Sequence, residues 1–230
     1  MLRAALRAYR GVRQTRVETW LALQRRQTDF KNRRAVTAPN IARRNSRRAY
    51  ERIYGDQRLL NEYLGPERLL FYAEVAETAA RERPRSVVDV GCGTGDLLRA
   101  VVERVAPERV VGIDYAAAGI RRASALVPSG EFYARSLYDL NLTETFELVL
   151  CTEVLEHVRA PDDAADVLVR LCASPGTIVI TVPDGAQDAW QGHLNFWTES
   201  ALEDFLGRYG NAEVSRMRTD AASLLAVVRR

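Results

Sequence analysis

The chain has 230 residues, of which 47% are hydrophobic, enough to bury one substantial core together with an accessory segment. Its longest apolar runs are too short to span a bilayer, and arginines interrupt the N-terminus where a signal peptide needs an apolar core, so we expect a cytoplasmic protein. The formal net charge of +3 is unevenly distributed, because residues 1–58 carry a net +12 and residues 59–230 a net −9.

Residues 1–65 are predicted to form a basic helical arm or cap, and residues 66–230 a single main domain. Three interpretations of the arm are open. It packs over a ligand site or against a second subunit in a homodimer, it binds an anionic substrate such as RNA, or it lies on an acidic membrane surface. The first is favoured because arginine dominates over lysine throughout the chain, which explains part of the charge.

Within the arm, a helix is predicted from about Asn40 to Tyr54, and Gly55 ends it. Another helix is predicted after Pro66, and Pro84 ends it. The residues predicted to form the inner face of the helix after Pro66 are Leu69, Leu70, Tyr72, Ala73 and Val75.

A glycine-rich turn follows a short β-branched run, Ser86 to Val90, that is typical of a central parallel strand. Gly91, Gly93 and Gly95 remove three side chains within five residues, so backbone N–H groups and the next helix can approach a ligand closely. The G-x-G-x-G spacing differs from the dinucleotide fingerprint G-x-G-x-x-G, and no Gly-Lys-Ser/Thr of a P-loop is present. Asp96 at the helix start would also repel a pyrophosphate. A ligand with a cationic amino-acid head suits this turn better.

The next strand, Arg109 to Asp114, ends in a carboxylate suited to accept hydrogen bonds from both hydroxyls of a ribose. With V-D-V-G-C-G-T-G before it, this pattern resembles the class I S-adenosylmethionine (SAM)-dependent methyltransferases. A nicotinamide cofactor and an ordinary α/β turn are the competing interpretations. The resemblance implies SAM as the cofactor and the following binding residues: Asp89, Gly91, Cys92, Gly93, Gly95, Asp114, Tyr115, Ser136, Leu137 and Thr152. Ser136 stands where related enzymes often place an acid against the adenine amino group.

The remaining elements alternate between strand and helix periodicity. Helices are predicted over residues 116–127, 162–172 and 199–209, and strands over residues 131–135, 146–151, 177–182, 212–217 and 222–228. This alternation predicts an α/β fold with a doubly wound, Rossmann-like sheet. The resemblance to class I methyltransferases implies that the sheet has seven mostly parallel strands and that the last strand is antiparallel. The three cysteines, Cys92, Cys151 and Cys172, lack metal-ligand spacing and are interpreted as small packing residues.

A second polar constellation follows the fourth strand, at the sheet end where ligands bind in open α/β folds. If the segment after Thr152 begins a helical turn, Glu153, Glu156 and His157 share one face. The only other histidine, His193, lies in a later loop predicted to line the same rim. Two imidazoles and two carboxylates could bind Mg²⁺ or Mn²⁺, with water and substrate oxygens completing the site.

The segment C-T-E-V-L-E-H-V resembles that of the ubiquinone-biosynthesis O-methyltransferases. The pattern E-x-x-E-H within this segment, followed later by a histidine before an F/W-rich segment, is similar to the pattern of the small-RNA 3′-terminal 2′-O-methyltransferases. Residues 192–197 resemble the corresponding segment of bacterial methyltransferases that act on saccharides and natural products. The resemblance implies the metal ligands Glu153, Glu156, His157 and His193. Two alternatives stay open: a metal-free site in which a histidine is the base, and a purely structural Glu-His pair.

The leading hypothesis is a SAM-dependent O-methyltransferase acting on a hydroxyl of a sugar, oligosaccharide or related small metabolite, with metal assistance. His157, His193 and Glu153 are the candidate catalytic residues, because an alcohol nucleophile benefits from a nearby base or Lewis acid. Trp190, Phe196 and Trp197 are candidate pocket walls or lid residues. The competing hypotheses are an RNA ribose 2′-O-methyltransferase, which lacks a recognisable RNA-binding module here, and a non-catalytic SAM-binding scaffold subunit.

Overall fold

The computed structural model describes residues 45–188 and 192–230, so the sequence predictions for residues 1–44 and for Trp190 lie outside the described residues. Seven helices and seven strands make up this part of the chain. The helices are α1 (Arg47–Gly55), α2 (Gln57–Tyr63), α3 (Pro66–Glu82), α4 (Asp96–Val105), α5 (Ala117–Leu126), α6 (Pro161–Leu171) and α7 (Glu199–Leu206). The strands are β1 (Ser86–Val90), β2 (Arg109–Asp114), β3 (Glu131–Ala134), β4 (Phe146–Thr152), β5 (Cys172–Pro183), β6 (Asn211–Arg216) and β7 (Ser223–Arg229).

All seven strands form one sheet in the order β3-β2-β1-β4-β5-β7-β6. Neighbouring strands from β3 to β5 are parallel, and β7 is inserted antiparallel between β5 and β6. This confirms the predicted doubly wound fold. The order reverses between β1 and β4, and such a switch point opens a crevice at the carboxyl ends of the strands.

Alternate residues of β1 pack into cores on opposite faces of the sheet, as the two-residue period of a strand requires. Val88 packs with Leu168 of α6 and Leu202 of α7, whereas Val87 packs with Val75 of α3 and Leu98 of α4. Helices therefore cover both faces, which explains why valines occupy both faces of β1.

The predicted inner face of α3 is correct at Val75 but wrong at Leu69 and Leu70. Leu69 and Leu70 are 47% and 57% exposed, whereas Phe71, Val75 and Ala79 are buried against the sheet. The helix starts at Pro66, and its contact with α4 and the sheet selects the stripe at residues 71, 75 and 79. A run of neighbouring apolar residues could not by itself distinguish this stripe from the one beside it.

The described part of the predicted arm, residues 45–65, packs tightly on α5. Tyr54 and Leu60 form a buried cluster with Ala116 and Ala118. The Glu51 carboxylate accepts hydrogen bonds from Ala117 N (2.7 Å) and Ala118 N (2.8 Å), which satisfies two free amides at the start of α5. Helices α1 and α2 are thus fixed over the carboxyl end of the sheet. No helix within the described ranges is long and apolar enough to cross a bilayer.

Candidate active site

A cavity of about 1060 Å³ lies at the carboxyl ends of β1, β2 and β4, beneath α1, α2 and the start of α3. The glycine turn and Asp114 line one part of it, and the Glu/His constellation lines another. The two polar groups that the sequence singled out therefore share one cavity, at the switch point of the sheet.

The glycine turn has a backbone conformation that other residues rarely adopt. Gly91 has φ 87° and Gly93 has φ 52°. A Cβ at Gly91 would lie 2.3 Å from Cγ2 of Val154, so no side chain fits there. The amides of Gly91 and Cys92 donate to Ile113 O (2.7 and 2.9 Å), which holds the turn against the end of β2.

Asp114 organises this turn from the end of β2. Its Oδ2 accepts a hydrogen bond from Gly93 N (3.1 Å) and its Oδ1 accepts one from Ala116 N (2.7 Å). Burial raises the pKa of Asp114 to about 6, and the two backbone donors oppose that shift. Each carboxylate oxygen keeps further acceptor capacity, so a diol could still bind.

Asp89 presents a buried carboxylate to the same cavity. Burial, followed by the charge of Asp114, raises its pKa to about 8. Among the described residues its Oδ1 has no hydrogen-bond partner. A buried acceptor of this kind suits a cationic donor on a ligand.

Five other predicted cofactor residues also line the cavity: Cys92, Tyr115, Ser136, Leu137 and Thr152. The Ser136 hydroxyl accepts a hydrogen bond from Tyr138 N (3.3 Å) and so caps the short turn after β3. Gly95 does not line the cavity. It precedes α4, and a Cβ there would lie 2.9 Å from Ala123, so this glycine allows α4 to pack closely against α5.

The structure brings together three of the four predicted metal ligands. One potential ligand atom from each of Glu156, His157 and His193 lies within 4.8 Å of the others, and we call these residues the metal-ligand trio. The two imidazole rings have centroids 4.8 Å apart. Atoms placed this closely on three side chains could hold one divalent cation.

The predicted helical face that would join Glu153 to Glu156 and His157 is wrong, and Glu153 is not part of the trio. Its φ of 55° lies in the left-handed region, and only Leu155–His157 form a short 3₁₀ turn. Its Oε1 accepts a hydrogen bond from Thr181 Oγ1 (3.1 Å) of β5. The i, i+3, i+4 relationship fails because residue 153 leaves the strand in a non-helical conformation.

Electrostatics favour the neutral forms of Glu156 and His157 in the absence of a cation. Glu156 is 1% exposed, neither of its carboxylate oxygens has a hydrogen-bond partner among the described residues, and His157 Nε2 lies 3.5 Å from Oε1. Burial and the neighbouring Glu153 raise the pKa of Glu156, and burial raises that of Glu153 to about 7. Burial, His193 and Arg68 lower the pKa of His157 to about 3. A neutral imidazole is the form that binds a metal or accepts a proton.

The loop that carries His193 is attached to the turn that carries the other two ligands. Asn195 Nδ2 donates to Leu155 O (2.8 Å) and Val158 O (2.7 Å), and Leu194 N donates to Glu156 O (2.7 Å). These bonds set the position of His193 relative to Glu156 and His157. Trp197, a predicted pocket wall, instead lies in the core against Phe205 (ring centroids 5.5 Å), while Phe196 faces His193.

We expect Asn195→Ala to weaken Mn²⁺ binding by roughly tenfold, because residues that orient metal ligands typically have effects of this size. The change removes both amide bonds between the loop and the turn. Binding is measured by the electron paramagnetic resonance signal of free Mn²⁺. Asn61→Ala is the control, because the Asn61 side chain accepts a hydrogen bond from Gln57 on the exposed face of α2. Unchanged Mn²⁺ binding in Asn195→Ala would show that the backbone bonds alone hold the loop.

Sequence reasoning missed the aromatic residues that α1 and α2 contribute, because residues 1–65 were treated as a separate arm. Tyr50, Tyr54 and Tyr63 line the cavity. The Tyr50 ring lies 5.8 Å from that of Tyr115, beside Asp114, and 6.4 Å from that of His157. The i, i+4 spacing of Tyr50 and Tyr54 was the available signal, since it places both rings on one helical face.

Arg68 was also missed. It lies in the first turn of α3, and its guanidinium is stacked over the Tyr63 ring at 5.1 Å from the centroid. Its side chain lines the cavity and forms no salt bridge with any described carboxylate, although the charge of Glu153 acts on it. A partly buried cation held by aromatic faces is suited to an anionic group of a ligand.

The comparisons agree with this fold. Residues 60–215 match the model of the "Methyltransferase domain" family, so the chain belongs to that family. Its architecture is that of class I SAM-dependent methyltransferases, which confirms the resemblance drawn from the glycine turn and Asp114.

Individual relatives are more distant. The chain is 24% identical over 166 residues to a trans-aconitate 2-methyltransferase of Acidovorax sp. (strain JS42), covering 72% of this chain and 62% of that one. It is 38% identical over 110 residues to a ubiquinone biosynthesis O-methyltransferase of Neisseria meningitidis serogroup C, covering 45% and 42%. The chain thus spans less than two thirds of the length of either relative.

Among solved structures, the N-methyltransferase NodS from Bradyrhizobium japonicum WM9, in complex with S-adenosylhomocysteine, matches with a TM-score of 0.65. It is 19% identical and the match covers 81% of this chain and 98% of that one. This similarity establishes the shared fold.

Proposed function

We propose that the protein is a SAM-dependent O-methyltransferase that methylates a hydroxyl of a small polyhydroxylated metabolite, such as a sugar or oligosaccharide, with a divalent metal. The observation that carries this proposal is the single cavity shared by Asp114, the glycine turn and the metal-ligand trio. Its volume of about 1060 Å³ is at the upper end of the range for small-molecule sites, which favours a cofactor and an acceptor side by side.

The charges around the cavity suit SAM. The ribose hydroxyls can donate to Asp114, and the amides of the glycine turn allow close approach of the cofactor backbone. The zwitterionic methionine end needs an acceptor for its ammonium group and a cation for its carboxylate, and the buried Asp89 and the stacked Arg68 are the candidates. Tyr50 and Tyr54 present aromatic surfaces that suit a sulfonium cation.

The trio also fits a divalent metal. Glu156 offers two buried oxygens that have no hydrogen-bond partner among the described residues, so a cation could neutralise and coordinate them, and the neutral His157 ring can act as a ligand. One carboxylate and two imidazoles favour Mn²⁺ over Mg²⁺, which prefers oxygen ligands. When bound there, the cation would supply Lewis acidity that favours ionisation of an acceptor hydroxyl.

Glu153 is the candidate proton acceptor among the chain's own residues. It lines the cavity outside the trio, and its pKa of about 7 is suited to general-base chemistry at neutral pH. Thr181 holds one carboxylate oxygen and so orients the group. The aromatic cover of α1 limits water around the reacting atoms, which favours methyl transfer over side reactions.

We expect EDTA treatment to reduce methyl transfer at least ~100-fold, because loss of a Lewis acid leaves the alcohol largely protonated. Mn²⁺ should restore the activity more effectively than Mg²⁺. The measurement is release of S-adenosylhomocysteine with a panel of sugars, catechols and hydroxy acids. Full activity in EDTA would refute the metal and leave a histidine-assisted reaction. Failure to release S-adenosylhomocysteine with any acceptor of the panel would favour the scaffold hypothesis.

Methylation of an RNA ribose is a second candidate, because residues 1–58 carry a net +12 and a terminal ribose offers vicinal hydroxyls to a metal site. This function requires RNA binding that weakens steeply with salt. Fluorescence anisotropy with a labelled single-stranded RNA, at two salt concentrations, tests it. Absent or salt-insensitive binding would discard it. The proposed homodimer and membrane contacts of the arm remain predictions.

A further inference from the structure

We infer that Asp188 is a positioning residue that fixes the tautomer and orientation of the His193 imidazole, leaving Nε2 as the nitrogen with the lone pair. The inference rests on the proposed function, since it concerns how His193 serves the metal-ligand trio. It adds a residue that no motif in the sequence indicated.

The contact between the two side chains is short and shielded from water. His193 Nδ1 lies 2.5 Å from Asp188 Oδ2, and the side chains of His193 and Asp188 are 11% and 6% exposed. We assign Nδ1 as the donor because a carboxylate oxygen accepts hydrogen bonds, and in a neutral ring this assignment leaves the lone pair on Nε2. Metal-bound histidines commonly use such a carboxylate on the second nitrogen, which sets the ring orientation and raises ligand basicity.

The backbone that carries Asp188 is itself well held. Gln187 N and Asp188 N both donate to Asp184 O at 2.8 Å. The Asp184 carboxylate is fully buried and accepts hydrogen bonds from Ala186 N (3.0 Å) and from the Arg216 guanidinium (2.5 Å). A carboxylate on a fixed turn can hold an imidazole in one orientation without further ordering.

Histidine NMR tests the inference directly, because the chain contains only two histidines. Two-bond and three-bond ¹H–¹⁵N correlations distinguish a protonated from an unprotonated ring nitrogen, and His157→Gln assigns the His193 signals. In the metal-free wild type we expect His193 to carry its proton on Nδ1. In Asp188→Ala we expect a mixture of tautomers. Asp188→Asn keeps the volume of the side chain. It should allow the His193 tautomer with its proton on Nε2, because the asparagine amide can donate a hydrogen bond to Nδ1.

Mn²⁺ binding is the second readout. Asp188→Ala and Asp188→Asn should weaken it by roughly 10–100-fold, while SAM affinity stays within about twofold of the wild type. Gln187→Ala is the matched control, since Gln187 lies in the same turn and its side chain bonds to Asp184 rather than to His193. It should change neither the tautomer nor the Mn²⁺ affinity.

A wild-type tautomer retained in both Asp188 variants would overturn the inference, as would equal loss of Mn²⁺ binding in Gln187→Ala. If the wild type binds no Mn²⁺, the metal in the proposed function fails, but the tautomer measurement still decides the role of Asp188. Should Asp188→Ala fail to fold, the near-isosteric Asp188→Asn gives both readouts.

Discussion

Asp114→Ala should reduce the affinity for SAM at least ~100-fold. The change removes the ribose acceptor and also the two bonds that hold Gly93 N and Ala116 N, and each hydrogen bond to a charged group contributes about 1.5–3 kcal/mol. Two such losses correspond to a factor of this size or more. Isothermal titration calorimetry with SAM and with S-adenosylhomocysteine measures it.

Asp166→Ala is the control, because Asp166 is an exposed aspartate on α6 without a side-chain hydrogen bond among the described residues. It should bind SAM like the wild type. Circular dichroism must show that Asp114→Ala is folded, since the carboxylate also organises the glycine turn. A folded Asp114→Ala protein with wild-type SAM affinity would place the cofactor elsewhere.

Glu156→Gln should have two opposite effects: loss of Mn²⁺ binding and methyl transfer by ~100-fold or more, and higher stability of the metal-free protein above neutral pH. The amide keeps the shape of the side chain but cannot be a charged ligand. It also removes a fully buried acid whose two oxygens have no hydrogen-bond partner among the described residues.

The sign of the stability effect follows from proton linkage. Burial raises the pKa of Glu156 in the folded state above its unfolded value, so the folded protein keeps a proton that the unfolded chain has released. Stability therefore falls as the pH rises from the unfolded pKa of about 4.5 towards the folded pKa. Glu156→Gln abolishes this contribution, and its melting temperature in EDTA should exceed that of the wild type by more at about pH 8 than at about pH 5.

Thermal denaturation monitored by circular dichroism, with and without Mn²⁺, separates the two effects. Glu62→Gln is the control, because Glu62 is exposed on α2, and it should shift neither the melting temperature nor Mn²⁺ affinity. A Glu156→Gln variant that is less stable than the wild type in EDTA would mean that the acid is structurally required. Wild-type Mn²⁺ binding in that variant would remove Glu156 from the metal site.

Much of the fold could be predicted from local patterns. The change from strand to helix periodicity at residues 86–105 can be recognised from residues adjacent in the sequence. It predicted a strand over Ser86 to Val90 and a helix from Asp96, with the glycine turn between them, and the structure has both elements at these residues. Asp114 was identified because a carboxylate at the end of a parallel strand must lie at the ligand-binding edge. The observed strands differ from the predicted ones mainly at their ends, as for β5, which begins at Cys172 instead of Thr177.

The sequence therefore sufficed for the seven-stranded sheet, through the alternating periodicities and the family resemblance. It also sufficed for the half of the cavity that holds Asp114, because the spacing within one strand and turn defines that half. Tertiary packing was needed for the other half. Tyr50 and Arg68 reach the cavity only because α1–α3 fold over the sheet, and Asp188 meets His193 only in the folded loop. Glu153 does not join the trio because its backbone has a left-handed conformation between β4 and the following 3₁₀ turn. Contacts between segments that are far apart in the sequence produce no periodic pattern within either segment. They can therefore be identified only from the folded structure, in which the core brings those segments together.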